Sequence, residues 1–175
     1  MMNDLDDIFN DLLDKSPSAA AVTEANDRTI PSGTYKLEIV KKEYEPAGDK
    51  SPWPGRPMVR CSADAFYKNG DGEWHRRGRI NFDLSPMETR VSKTGRLDSQ
   101  SRLWANVALM AGKGSTNREI LDYLGQYPLT ATISRTFKTP DGRWVTPKTD
   151  KETDQLMGDG AEPRNFVQAL RPFNG

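Results

Sequence analysis

Apolar positions first recur with a helical period and then switch to alternation. Leu5, Ile8, Phe9, Leu12 and Leu13 fall at i, i+3, i+4, i+7 and i+8, with acids on the other side. That spacing predicts an amphipathic helix over residues 3–14. Asn3 or Asp4 can cap it, the early carboxylates suit the positive end of its dipole, and Ser16-Pro17 ends it. Residues 16–29 have the composition of a flexible linker.

Pro31-Ser32-Gly33 opens a β region. Tyr35, Leu37 and Ile39 alternate with polar neighbours, while Val40 and Tyr44 fall on the opposite parity, which predicts a bulge. A second strand spans 57–67, with Val59, Cys61, Ala63, Ala65 and Tyr67 on one face. Asn69-Gly70-Asp71-Gly72 is a hairpin signal because these residues tolerate φ > 0. The return strand, 74–84, turns Ile80, Phe82 and Leu84 inward and Arg77, Arg79, Asn81 and Asp83 outward.

A basic loop with Arg90, Lys93 and Arg96 precedes a helix from Asp98 or Ser99 to Gly112, carrying Leu103, Trp104, Val107 and Met110. Thr116-Asn117-Arg118-Glu119 fits a capping box and opens a second short helix that Gly125 terminates. Alternation returns at Leu129, Ala131, Ile133 and Phe137. A turn at 139–142 and a return strand at 143–146 follow. Residues 147–163 lack periodicity and read as an exposed loop, and 166–170 read as a last strand. Which of the two late segments closes the sheet stays open.

Three strands, a helix and two closing strands is the order of the OB-fold, a small Greek-key β-barrel that binds oligonucleotides across strands 2–3 and two flanking loops. The expected fold is therefore mainly β and barrel-like, with one or two short helices between strands 3 and 4. An antiparallel sheet with helices on one face fits almost as well. The domain plan is an acidic amphipathic segment (1–15), a linker (16–29) and one binding domain (30–175).

Composition and charge sharpen this picture. Hydrophobic residues make up 35% and charged residues 29%, which implies a modest core with polar extensions. The net charge is zero, yet residues 1–27 hold seven acids and one lysine, a net −6. The other residues hold 24 bases and 18 acids, a net +6. A basic body with an acidic arm suits a polyanion ligand or charge-steered partners. The start of the chain lacks the basic-then-apolar pattern of a signal peptide, and no apolar stretch approaches the roughly 18–20 residues that span a bilayer. The expected location is cytoplasmic.

Catalytic and metal chemistry finds little support. His75 is the sole histidine, which rules out a two-histidine metal site and reads as an exposed strand residue. Cys61 is the sole cysteine and, on the apolar face of its strand, reads as a small buried hydrophobe. The tract Ala111-Gly112-Lys113-Gly114-Ser115 ends like a phosphate loop, but Val107 stands where that motif needs glycine, and a helix precedes it instead of a strand. No cofactor and no enzymatic activity are expected.

Cations interleaved with aromatics do stand out. Arg60 and Phe66 share the outer face of strand 2. Trp74, Arg76, Arg77 and Arg79 lie on strand 3. Trp53 sits in the first loop, and Phe137, Lys138, Arg143 and Trp144 flank the late hairpin. Single-strand binders need both ingredients, cations for phosphates and open ring faces for unstacked bases. Trp104 and Phe82 read as core instead, and Trp74 and Trp144 divide between core edge and base platform. The candidate nucleic-acid contacts are Trp53, Arg60, Phe66, Trp74, Arg76, Arg77, Arg79, Lys138, Arg143 and Trp144. Leu5, Ile8, Phe9 and Leu12 form a candidate partner-docking stripe; the arm can equally fold over the basic face or pack on its own barrel.

Ile30-Pro31-Ser32-Gly33-Thr34-Tyr35, Gly78-Arg79-Ile80-Asn81-Phe82-Asp83-Leu84, the helix ending Met110-Ala111-Gly112, and Leu124-Gly125 together resemble a family of phage-encoded, OB-fold, single-stranded-DNA-binding-like proteins. The resemblance covers about residues 30–172. It implies single-stranded DNA as ligand, roles in phage DNA replication or recombination, and contacts with the enzymes of those processes. Bacterial single-strand binders carry an acidic, apolar-tipped tail at the C-terminus. Here the comparable segment, Asp4-Leu5-Asp6-Asp7-Ile8-Phe9, lies at the other end. The competing expectation is a protein-binding adaptor or phage-encoded inhibitor that acts through the acidic arm.

Overall fold

The computed structural model describes residues 29–88 and 95–174. The helix expected at 3–14, its stripe Leu5, Ile8, Phe9 and Leu12, the linker up to residue 28, and Arg90 and Lys93 lie outside the described residues. Thr29, expected as the end of the linker, is already buried.

Among the described residues six strands form one antiparallel sheet. They are β1 (Gly33–Tyr44), β2 (Val59–Lys68), β3 (Trp74–Leu84), β4 (Leu129–Lys138), β5 (Trp144–Val145) and β6 (Glu162–Pro172). The ladder runs β3-β2-β1-β4, and β4 also pairs with β5 and, over its whole length, with β6. Both late segments are thus strands, β5 a two-residue one and β6 the long one. No ladder among the described residues joins β3 to β6, so the sheet is curled but not closed.

The alternation in the sequence places the core as expected. Tyr35, Leu37, Cys61, Ala63, Ala65, Ile80, Phe82, Leu84, Leu129, Ala131 and Ile133 face one interior with Val167 and Leu170. Helix α1 (Ser99–Ala111) seals that interior with Leu103, Trp104 and Val107, and α2 (Asn117–Tyr123) adds Ile120. Asp98 caps α1 by accepting the Ser101 N–H, and Gly112 ends it at φ +111°, a conformation that L side chains rarely adopt. The capping box between Thr116 and Glu119 is present. Lys42 on β1 donates to the carbonyls of Leu121 (2.6 Å) and Leu124 (2.7 Å), the C-terminal, electronegative end of α2.

Three register shifts bend the ladder, between Ile39 and Lys41, between Ala65 and Phe66 opposite Gly78 and Arg76, and between Thr132 and Ile133. The first leaves Val40 unpaired, as its parity predicts. The second corrects the expectation that Arg77 shares one alternating face with Arg79. Arg77 is the extra residue of a bulge, because Gly78 pairs with Ala65 and Arg76 with Phe66. Beyond that bulge the hairpin projects past the core, so Tyr67, expected inward, is 37% exposed.

The loop expected at 147–163 is a second correction, because residues Asp150–Gly158 form helix α3. Its Thr149 cap accepts the Glu152 N–H, and Glu152 accepts the Lys148 N–H. The helix buries no residue, so it carries no apolar period to read.

One buried cation ties the β1–β2 loop to α1. Arg56 is 6% exposed. Its Nη2 donates to both Asp98 carboxylate oxygens (2.9 and 2.8 Å) and to Ser101 Oγ (2.6 Å), and its Nε donates to Ser85 Oγ (3.0 Å). Ser85 in turn donates to the Pro57 carbonyl at 2.6 Å. A buried charge that loses its partner costs about 3–5 kcal/mol. Asp98→Ala, which strands the Arg56 guanidinium and removes the α1 cap, is therefore expected to lower unfolding stability by at least about 3 kcal/mol in a urea titration. A loss under about 1 kcal/mol would mean that Arg56 reaches water.

Candidate nucleic-acid interface

In a sheet with one sealed face, the polar positions of every strand fall on the other. Paired residues share a face, so the ladder fixes which outer side chains adjoin. Across β1, β2 and β3 the outer rows are Lys36–Phe66–Arg76, Glu38–Asp64–Arg79 and Glu43–Arg60–Asp83. Phe66, Arg60 and Arg79 therefore lie together on the outer face, as expected, and the bulge brings Arg76 onto it in place of Arg77.

Their charges are not free. Arg76 and Arg79 both donate to Asp64 Oδ1, at 3.2 and 3.1 Å. Arg60 pairs with Asp83 at 3.1 Å and with Glu45 at 3.4 Å. The hydrogen bond and charge of Asp83 raise the Arg60 pKa. Partial burial opposes ionisation of Asp64, but the hydrogen bonds and charges of Arg79 and Arg76 outweigh it and hold the carboxyl below its ordinary value. The acids interleaved with the arginines explain why three cations tolerate one small surface, a point that the run Arg76-Arg77-Gly78-Arg79 alone does not reveal.

Ring faces gather in two clusters on the outer side. At one end of the sheet Trp74 packs edge-on against Phe173, with centroids 5.3 Å apart. Lys36 Nζ stands 5.1 Å from the Phe173 ring, 5.6 Å from Phe66 and 5.8 Å from Trp74, and Lys68 stands 5.9 Å from Trp74. Beside these rings lies a cleft of about 500 Å³ lined by Thr34, Trp74, Thr130, Arg171 and Phe173. Arg171 spans its β4 side and donates to Thr132 Oγ1 at 3.2 Å.

At the other end Trp144 on β5 meets Phe166 on β6, edge to face with centroids 5.6 Å apart. Lys138 and Arg164 each lie 5.7 Å from the Trp144 ring. Trp144 is 47% exposed and Phe166 41%. Cations over ring faces at these distances attract the ring quadrupole. Along β6 and the residue after it, Phe166 and Phe173 are separated by up to about 23 Å at roughly 3.3 Å per residue. Thr132, Ser134 and Gln168 lie between the clusters, and Gln168 donates to Ser134 Oγ at 2.9 Å.

The remaining predicted residues fall elsewhere. Trp53 is 40% exposed in the β1–β2 loop, beside Pro52, Pro54 and Met87. Arg143 pairs with Asp141 at 2.9 Å in the exposed turn before β5. Phe137, read as flanking the binding surface, is fully buried. Lys36, Arg164, Phe166, Arg171 and Phe173 were not singled out, because their partners are distant in sequence and only the ladders of β4 with β1, β5 and β6 unite them.

Trp104 is core, and its Nε1 donates to Asn117 Oδ1 at 3.3 Å. Burial pushes the Cys61 thiol up to about 12, far from a thiolate nucleophile. In the β2–β3 turn Asp71, Glu73 and His75 bring potential ligand atoms within 4.8 Å of one another, all on the surface. Asp71 there accepts the Glu73 N–H at 2.9 Å and contacts His75 Nε2 at 3.0 Å, contacts that close the turn. No helix among the described residues is long and apolar enough to cross a membrane.

No family model, curated protein or solved structure matches this chain.

The Asp64 hub has a pH signature. A carboxylate with a lowered folded pKa adds stability above its unfolded value, about 3.9, and loses it as pH falls through the folded value. The stability difference between the wild type and Asp64→Asn is expected to hold from pH 7 to pH 5 and to shrink below about pH 4. Urea midpoints across that range test it; a difference that stays flat at low pH contradicts the pairing.

Proposed function

We propose that this protein binds single-stranded DNA along the outer face of its sheet, as a phage-type binder in replication or recombination. The observation that carries the reading is the pair of cation-flanked ring clusters on the outer face, the half-buried Trp74–Phe173 and the exposed Trp144–Phe166, with hydroxyl, amide and guanidinium groups between them. Stacking on aromatic faces is tolerant of base identity and stabilises by about 1–3 kcal/mol per base. The strand order supports an OB-like barrel. β1 lies between β2 and β4, a helix separates β3 from β4, and β6 takes the fifth strand's place beside β4. In that fold the β1–β2 and β4–β5 loops flank the ligand. Here they hold Trp53 and the turn with Arg143, and α3 extends the chain before β6.

Rings and the cations Lys68, Lys138, Arg164 and Arg171 form the principal contact surface, and Lys36, paired with Glu38 at 3.1 Å, holds the rings of its cluster. Arg60, Arg76 and Arg79 are secondary, because each phosphate they take must displace a carboxylate. That displacement gives the adaptor reading its one support: paired arginines on a flat face also suit a protein with no polyanion ligand.

Titration with oligo-dT at low salt, followed by tryptophan fluorescence, separates the two. The DNA reading expects quenching, with Trp74→Ala and Trp144→Ala each weakening binding about 5- to 100-fold. Asp64→Asn is expected to tighten binding and steepen the salt dependence by about 0.7 in log–log slope for each guanidinium released. The absence of quenching at low salt would end the DNA reading.

A further inference from the structure

One cleft among the described residues lies away from the outer sheet face. It holds about 690 Å³ between α1, α2 and the segment after β3. Its wall is mainly apolar, with Trp104, Ala105, Ala108, Leu109 and Ile120. Leu109 is 82% exposed, the most exposed of the large hydrophobic residues among those described. A solvent-facing leucine beside an apolar cleft is the mark of a docking groove.

We infer that the occupant is this chain's own acidic arm, residues 3–14, with Leu5, Ile8, Phe9 and Leu12 seated in the groove. Three observations favour it. The stripe has the i, i+3, i+4, i+7 spacing that a groove between helices accepts. A helix of this length is marginal in water and gains most from an apolar surface.

The tether also reaches. Ile30 is fixed by Asn165, which accepts its N–H and donates to its carbonyl, both at 2.8 Å. Asn165 lines a second cleft with Ser99 and Leu103, so the arm departs beside the start of α1. α1 is about 20 Å long. Residues 15–28 span up to about 45 Å when extended. A tether of that length supplies an effective concentration on the order of millimolar.

Docking there leaves the ring clusters uncovered, so the inference stands or falls independently of DNA binding.

Cys61 is buried, so a cysteine introduced in the full-length chain can be labelled selectively. With a nitroxide at Ser16→Cys, just beyond the stripe, amide signals of Ala105, Ala108, Leu109 and Ser115 are expected to lose more than half their intensity. Phe9→Asp or Leu109→Asp, neither of which removes a buried side chain from the described fold, is expected to restore them while the other amide signals keep their positions. Broadening that instead centres on Lys36, Thr130 and Arg171, or that is absent, overturns the assignment. So does broadening that arises only between spin-labelled and isotope-labelled chains in a mixture, which makes a second copy the donor.

Discussion

A sheet with one apolar face must hide that face, and here curvature, α1 and a smaller share from α2 do the hiding. Three bulges curl the ladder until β3 and β6 both reach α1, whose Leu103, Trp104 and Val107 complete the interior. The Arg56–Asp98 pair holds the start of α1 against the end of β3 and the first loop. It is a costly device, since two charges leave water, and its value lies in fixing one arrangement of loop, strand and helix. Every outer-face residue then follows from the ladder.

That constraint explains what the sequence revealed. Strands and faces were legible wherever apolar residues alternate, as in Val59 to Ala65 and Ile80 to Leu84, and both helix starts before β4 were legible from their caps. Three features were not. The bulge at Arg77 shifts parity, and Gly78 beside it hints at a bulge without fixing which residue is extra. α3 buries nothing, so periodicity is silent over it. The ring clusters join residues remote along the chain, Lys36 with Phe173 and Trp144 with Phe166, and only pairing between strands brings them together.

The arginines show the reverse. Their density in Arg76-Arg77-Gly78-Arg79 was plain, but the acids that answer them lie on the neighbouring strand at Asp64, and at Asp83 and Glu45 for Arg60. Local charge counts therefore overstate the field of β2–β3. In the proposed DNA binding a phosphate at these sites must displace a carboxylate, so the aromatic clusters and the cations beside them carry more of it.

The four tryptophans supply the most direct test. Trp74 and Trp144 sit in the outer clusters, Trp53 in the first loop, and Trp104 in the core with its Nε1 bonded to Asn117. In a two-dimensional ¹⁵N–¹H spectrum each gives one indole signal. On addition of oligo-dT at low salt, the Trp74 and Trp144 signals are expected to move while that of Trp104 stays fixed as an internal reference. Indole signals of Trp74 and Trp144 that remain in place at saturating oligonucleotide would contradict the claim that these rings are the platform.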